Sequence, residues 1–451
     1  MTNARSARLD TEVVFDPSTY VDGVPFEALA RLRSQTPVVW VDEVPVLGWP
    51  PGPGFWLVLR HADVESVLAR PQLFSSSLGA TQIRDPATPE ALGYVRRMML
   101  NMDPPDHSRL RRLLGRSFTP RAISQLEDRI RDHARTICDR VFTGAGGECD
   151  FAKDVAADLP LLTLAEVLGM PPEDRGLLFD WSNRVIGYQD PDYASSAEFD
   201  STAGSAMARQ VLALRPTPDG DGRMPDPRTR EGMPDLYAYA HLLAAEKRRS
   251  PGDDVMSILL AQVDDDGGQV SVPEFENMFW LFAVAGNETL RNGLPGACIA
   301  LLQHAHAQEA LRADPALMPG AVEEMLRWWT PVMTFRRTAT SECELGGQRI
   351  RQGEKVVVSF ISANRDEAVF AHPDRFDIGR QPNPHLVFGH GPHFCLGAHL
   401  ARMQMRALFG EVLARTSALR FAGQPSYLRS NFQRGVKRLP ISWTSSTELT
   451  A

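Results

Sequence analysis

The sequence predicts a mainly α-helical protein with a small β region. Apolar residues recur at helical spacing in several stretches, among them 174–187, 235–250 and 396–415. Residues 341–370 instead alternate apolar and polar side chains around a Gly-Gly pair and a further glycine. This pattern is typical of short strands joined by tight turns, so the chain is not purely helical.

Composition and length limit the class of protein. The chain has 451 residues, of which 43% are hydrophobic, and a net charge of −8, so a large globular core is feasible and a nucleic-acid-binding role is disfavoured. No apolar stretch reaches the roughly 18–20 residues that span a bilayer, and the first residues lack the apolar core of a signal peptide. We therefore expect a cytoplasmic protein with no membrane insertion. We see no internal repeat and expect a single domain over residues 1–451.

A long buried helix is predicted over residues 271–307. Ser271 and Glu274 form an S-x-x-E capping box at its start, with Pro273 in the first turn. The sequence A-G-N-E-T occupies its middle, at residues 285–289. A glycine and a threonine that can bond back to the helix backbone can open a local bulge there.

Five cysteines must be judged singly, because they form no CxxC or CxxH pair and their odd number disfavours a disulfide framework. Four of them should pack as small apolar residues: Cys138, Cys149, Cys298 and Cys343. Cys395 differs, since it follows a glycine-broken segment and precedes a predicted helix whose N-terminus favours a thiolate. One thiolate suffices for haem, whose ring supplies four ligands and leaves a sixth position open.

The residues around Cys395 also carry a family resemblance. The sequence F-G-x-G-x-H-x-C-x-G is matched by Phe388, Gly389, Gly391, His393, Cys395 and Gly397, and Ala401 and Arg402 follow. The chain resembles the cytochromes P-450, which are haem-thiolate monooxygenases, and is similar to actinobacterial cholesterol side-chain and methyl-branched lipid hydroxylases. The resemblance implies the P-450 fold, with haem b between the long distal helix and the helix after Cys395, its iron ligand.

The resemblance assigns roles to further residues. Glu324 and Arg327 match the family's E-x-x-R pair, with Arg375 as the third member of a structural lock. The haem propionates would be held by His107, Arg111, Arg337 and His393, with Arg336 as a less favoured substitute for Arg337. The cofactor would also be bound by Phe388, Gly389, Gly397, Ala285 and Gly286.

Oxygen activation is expected to use Thr289 and Glu288. The reaction takes O2 as co-substrate and consumes protons, so a hydroxyl and a carboxyl near the iron act as a relay. We expect Thr289 to be the hydrogen-bond donor and Glu288 the acid. No flavin or nicotinamide fingerprint accompanies these motifs, so electrons from NAD(P)H would come through a ferredoxin reductase and a ferredoxin. The ferredoxin would dock on a basic surface: Arg109, Arg112, Arg116 and Arg121.

The substrate is expected to be a hydrophobic small molecule, such as a steroid, a terpenoid or a natural-product intermediate. A segment near 190–235 interrupts the two predicted lid helices, and its Pro, Gly, Asp and Arg residues over 215–233 predict a solvated, mobile loop. Two alternatives remain open at this point. One is a haem-thiolate peroxygenase or oxidative-coupling enzyme of secondary metabolism, and the other is a haem-based sensor or binding protein.

Overall fold

Helices account for most of the structure, a computed structural model that describes residues 2–118, 120–194, 204–220, 224–263 and 267–446. The chain divides into two compact units. The first comprises Met1–Phe74, Gln125–Leu159 and Thr289–Ala451, and the second comprises Ser75–Ser124 and Pro160–Glu288. The single domain expected over residues 1–451 stays a prediction.

The α-helices follow one another along the whole described chain. In chain order they are α1 (Thr2–Phe15), α2 (Phe26–Gln35), α3 (His61–Leu68), α4 (Pro89–Val95), α5 (Asp106–Ser117), α6 (Pro120–Val141), α7 (Asp158–Leu168), α8 (Arg175–Ile186), α9 (Pro191–Ala194), α10 (Ala206–Leu212), α11 (Pro234–Arg249), α12 (Val255–Ala261), α13 (Val272–Ala285), α14 (Glu288–Gln303), α15 (Ala305–Ala313), α16 (Met318–Trp329), α17 (Phe360–Ala363) and α18 (Ala398–Arg415). Within the described part of the chain, no helix is both long enough and apolar enough to cross a membrane.

The strands are short and form small sheets. They are β1 (Val38–Val41), β2 (Phe55–Val58), β3 (Phe74–Ser75), β4 (Gly146–Asp150), β5 (Thr334–Ala339), β6 (Cys343–Leu345), β7 (Gln348–Ile350), β8 (Lys355–Ser359), β9 (Thr416–Phe421), β10 (Ser426–Tyr427), β11 (Val436–Arg438) and β12 (Pro440–Ser445). The largest sheet has the order β1-β2-β8-β5-β3. A mainly α fold with a small β region is therefore confirmed.

The largest sheet is centred on β8, in the first unit. All five residues of β8 are buried, and its Val-Val-Val run suits a strand covered on both faces. It pairs in parallel with β2 and antiparallel with β5. The hairpin of β6 and β7 turns at Gly346 and Gly347, whose φ angles of 55° and 76° favour glycine. The strands predicted within residues 341–370 are thus present.

Trp181 on α8 is a packing centre of the second unit. Its ring is fully buried and lies 5.5 Å from Tyr239 on α11 and 5.9 Å from Phe279 on α13. Burying an aromatic side chain removes roughly 150–250 Å² from water, worth about 4–6 kcal/mol. The helices α8 and α11 confirm the predicted helices over 174–187 and 235–250.

The helix predicted over 271–307 is present as two helices, which are separated at the A-G-N-E-T stretch where a local bulge was predicted. The capping box of Ser271 and Glu274 is present, but α13 ends at Ala285 and α14 begins at Glu288. In an unbroken helix the carbonyl of Ala283 would accept the amide hydrogen four residues later. Here it accepts a 3.0 Å hydrogen bond from the hydroxyl of Ser182 on α8. A side chain from another helix therefore substitutes for one helical hydrogen bond.

The Pro- and Gly-rich loop over 215–233 is less solvated than predicted. Arg215 donates to Asp180 on α8 at 2.7 and 3.1 Å, and Arg228 pairs with Asp226 at 2.7 Å. Charges that pair with α8 or with one another need not face water, and Arg228 is only 12% exposed, whereas residues 217–220 and 230–231 are exposed as predicted. Part of the predicted lid segment, residues 195–203 and 221–223, lies outside the described residues. Mobility of the loop stays a prediction.

Candidate functional site

The loop before α18 presents Cys395 on a backbone that two glycines shape. Gly389 and Gly391 have φ angles of 72° and 68°, which side chains other than glycine rarely adopt. A Cβ atom on Gly391 would also lie 2.7 Å from the carbonyl oxygen of Leu68. The amide of Cys395 donates to the carbonyl of Phe388 at 2.8 Å, which closes the loop.

Cys395 differs from the other cysteines in exposure. Its residue is exposed, two positions before Gly397, the N-cap of α18. Burial raises the pKa of the other four thiols, to about 12 for Cys138 and Cys149, with increases also for Cys298 and Cys343. Protonated, buried thiols are poor metal ligands. The donor set therefore fits a group that needs one thiolate, as haem does.

Glu324 and Arg327 form a fully buried ion pair on α16. Two nitrogens of Arg327 donate to the carboxylate at 2.7 and 2.8 Å, and both side chains are 0% exposed. The prediction that Arg375 is the third member of the lock is wrong. Arg375 is exposed and contributes its backbone carbonyl, whereas the guanidinium of Arg380 donates to Glu324 at 3.1 Å.

The lock is connected to the cysteine loop through Asn364. The carbonyl of Asn364 accepts from Arg327 at 2.8 Å, and its side-chain oxygen accepts from the amide of Leu386 at 2.7 Å. Leu386 lies two residues before Phe388 and accepts from the amide of Gly389 at 2.9 Å. The buried pair is thus linked to the loop by consecutive hydrogen bonds.

A second ion pair lies beside the lock and was missed from the sequence. Arg402 on α18 donates to both oxygens of Glu323, at 2.7 and 2.8 Å, and His385 bonds the same carboxylate at 3.1 Å. Burial alone would raise the pKa of Glu323, but the hydrogen bonds from His385 and Arg402 lower it to about 2. Glu323 is therefore a carboxylate at neutral pH. The guanidinium of Arg402 also lies over the ring of Phe388, 4.5 Å from its centroid.

The predicted propionate ligands fall into the two units. Arg336 and Arg337 on β5 are each 3% exposed, and His393 ends a short helical turn at Gly391–His393 in the same unit. His107, 2% exposed, and Arg111 lie four residues apart on α5 in the second unit. Buried cations favour an anionic ligand such as a carboxylate. Their common role around one haem stays a prediction.

The interruption between α13 and α14 contains the predicted relay. Ala285 and Gly286 are exposed although the residues on either side of them are buried, so the polypeptide leaves room at this point of an otherwise buried helix. Glu288 is 0% exposed and accepts a 2.7 Å hydrogen bond from the hydroxyl of Tyr193 on α9. Thr289 follows in the first turn of α14 and is partly buried.

The predicted basic surface is only partly available. Arg109 on α5 forms an ion pair with Glu274 at the start of α13, so its charge is neutralised within the second unit. Arg112 is exposed. The side chains of Arg116 and Arg121 lie outside the described residues.

Comparisons with known proteins agree with this geometry. The cytochrome P450 family model matches residues 243–421. A steroid C26-monooxygenase of Mycolicibacterium smegmatis is 37% identical, covering 96% of this chain and 93% of the relative. A methyl-branched lipid omega-hydroxylase of Mycobacterium bovis is 35% identical, covering 94% of this chain and 92% of the relative. The Mycobacterium marinum cytochrome P450 CYP268A2, solved in complex with pseudoionone, matches with a TM-score of 0.79 and 38% identity, covering 92% of this chain and 94% of that structure.

These matches define the class of protein as haem-dependent monooxygenases, which oxidise hydrophobic molecules with O2. The chain belongs to the cytochrome P450 family. The mainly helical fold and the monooxygenase activity predicted from the sequence are confirmed.

Proposed function

We propose that this enzyme hydroxylates a largely hydrocarbon molecule of the steroid or terpenoid kind, with Cys395 as the ligand of a haem b iron. The exposed thiol on the glycine loop carries the proposal, because the other four cysteines are buried or have raised pKa values. The bound haem would supply the iron at which O2 is activated. Relatives named for steroids and methyl-branched lipids support this choice of substrate class.

The propionates of that haem would be held by His107, Arg111, Arg337 and His393. Arg337 and His107 are almost fully buried, and an anion at hydrogen-bond distance would stabilise the buried guanidinium and accept from the imidazole N–H. Phe388, Gly389, Gly397, Ala285 and Gly286 would line the cofactor. Arg336 is as buried as Arg337, but the two are consecutive on β5 and so project to opposite faces of the sheet.

Thr289 and Glu288 would move protons to the site of O2 reduction. Glu288 is the first residue of α14 and Thr289 the second, and buried Asn287 separates them from the exposed Ala285 and Gly286. A hydroxyl and a carboxyl at such a helix interruption can exchange protons with water that enters there. The hydroxyl of Tyr193 donates a hydrogen bond to this buried carboxyl group and would orient it.

Electrons would come from NAD(P)H through a ferredoxin reductase and a ferredoxin. The sequence carries no flavin or nicotinamide fingerprint of its own, and exposed Arg112 offers a positive charge to an acidic partner. Arg109, which also pairs with Glu274, would form that surface together with Arg112, Arg116 and Arg121.

The test begins with the reduced, carbonyl-bound spectrum of the purified protein. A thiolate-type spectrum is expected, and its absence in the wild-type protein would contradict haem-thiolate ligation. Spin-state titrations with sterols, terpenoids, fatty acids and aromatic metabolites then identify the substrate class. Turnover with ferredoxin, its reductase and NAD(P)H should exceed turnover with peroxide; the reverse result would favour a peroxygenase.

A further inference from the structure

Two consecutive glutamates on α16 have different partners. Glu324 is 0% exposed and is neutralised by Arg327 and Arg380 inside the lock. Glu323 is 28% exposed and is neutralised by Arg402, which is 23% exposed. Consecutive residues of an α-helix project about 100° apart, so Glu323 and Glu324 contact different groups although they are adjacent in sequence. The ion pair of Glu324 is the lock. The ion pair of Glu323 with Arg402 has no role assigned by the family motifs that the sequence displays.

The contacts of Arg402 lead to the cysteine loop. Arg402 stands on α18, two turns beyond Cys395, and its guanidinium covers one face of Phe388 at 4.5 Å. The ring of His385 lies 5.9 Å from the same phenyl ring. The carbonyl of Phe388 in turn accepts the amide of Cys395 at 2.8 Å. The orientation of Phe388 therefore depends on groups that Glu323 holds in place.

This arrangement also places the positive charge of Arg402, paired with the carboxylate of Glu323, beside the cysteine loop. A guanidinium over an aromatic face is attracted by the ring quadrupole, and the bidentate carboxylate fixes its plane. The positive charge of Arg402 would stabilise the reduced state of the iron centre and so raise its reduction potential. The negative charge of Glu323 would lower that potential. As both groups are only partly buried, solvent screens each of them, and the two effects nearly cancel while the pair is intact.

We propose that Glu323, Arg402 and His385 are positioning residues that hold Phe388 against the cysteine loop, and that the charge of Glu323 balances the effect of the Arg402 charge on the reduction potential of the haem-thiolate centre. The inference rests on the proposed ligand role of Cys395. A group that only stabilised the fold would lower stability when removed, whichever partner was changed. If the two charges act on the iron centre, removing the charge of Glu323 must raise the reduction potential and removing the charge of Arg402 must lower it.

The test measures the midpoint potential by spectroelectrochemistry in haem-loaded variants. Glu323→Gln should raise the potential and Arg402→Gln should lower it, each by up to a tenfold change in the reduction equilibrium, or 59 mV for one electron. The double variant Glu323→Gln/Arg402→Gln should return close to the wild-type potential. Shifts of the same sign in both single variants, or no shift in either, would overturn the inference.

Two controls keep the result interpretable. Glu342→Gln and Arg349→Gln break an exposed pair with the same 2.7 Å separation elsewhere in the first unit, and should leave the potential unchanged. Arg402→Lys keeps the charge but loses the two-pronged contact. It should keep the wild-type potential and lose the thiolate-type carbonyl spectrum faster on warming; a potential like that of Arg402→Gln would contradict the charge argument. If the wild-type protein itself lacks that spectrum, the proposed function fails instead.

Discussion

Replacing Glu324 by glutamine tests the buried lock most sharply. The carboxylate accepts hydrogen bonds from Arg327 at 2.7 and 2.8 Å, from Arg380 at 3.1 Å, and from the amide of Asp377 at 2.9 Å. Glutamine keeps the shape but turns one acceptor oxygen into an NH2 group, which would face these donors. Two guanidinium groups that are less than a tenth exposed would then lack a counter-ion.

The magnitude follows from the burial of the pair. Removing one partner of a fully buried ion pair costs about 3–5 kcal/mol, because the other charge stays buried and uncompensated. With an unfolding entropy of about 2.1 cal/mol/K per residue, the 451 residues give about 0.9 kcal/mol/K. If the chain unfolds cooperatively, Tm should therefore fall by about 3–5 °C.

The assay is thermal unfolding followed by circular dichroism, on protein loaded with haem and on protein without it. Glu342→Gln is the control, since its partner Arg349 is exposed and the pair is surrounded by water. We expect no measurable change in Tm for the control. An unchanged Tm in Glu324→Gln, or an equal change in both variants, would refute the argument that burial makes this ion pair indispensable.

Four further outcomes are expected. Cys395→Ser should lose the thiolate-type carbonyl spectrum, whereas serine at each of the other four cysteines should leave it intact; a retained spectrum in Cys395→Ser would contradict the ligand assignment. Thr289→Ala should bind substrate but release much of its reducing power as peroxide or water, measured as product formed per NAD(P)H; unchanged coupling would argue against a proton relay. Arg112→Glu/Arg116→Glu should slow reduction by ferredoxin without affecting peroxide-driven turnover, and equal rates would remove the docking surface. Shortening residues 215–233 should change substrate affinity or release several-fold while the haem spectrum is kept; identical kinetics would make this loop a surface decoration.

The parts of the site that were predictable are local in sequence. The glycine loop, Cys395 and the following helix lie within one short stretch, and the E-x-x-R pair lies within one helical turn. Residue type and spacing predict which of these groups lie side by side, because neighbours in a turn or a loop remain neighbours in the fold, and the family resemblance supplies the role of the E-x-x-R pair. The same locality explains why the capping box of α13 and the strands within 341–370 were predicted correctly.

The parts that were missed depend on contacts between distant segments. Arg375 and Arg380 are equally plausible partners of Glu324 by spacing, and only the folded chain shows that the guanidinium of Arg380 makes the contact. The A-G-N-E-T residues indicated where the distal helix could open, but no pattern within residues 271–307 identifies the hydroxyl of Ser182 on another helix as the donor to Ala283. A side chain that competes for a backbone carbonyl becomes visible only when the helices are packed.

The cysteine loop shows why such distant contacts are needed at a functional site. A glycine-rich segment has many accessible conformations, and ordering each residue costs roughly 1–2 kcal/mol of backbone entropy. Residues outside the loop therefore keep it ordered. Asn364 accepts the amide hydrogen of Leu386, and the guanidinium of Arg402 covers the ring of Phe388. The close approach of Leu68 leaves no room for a Cβ on Gly391. Because α16 supplies the carboxylates behind the first two contacts, the position of the thiol is set by this helix as much as by the loop that carries it.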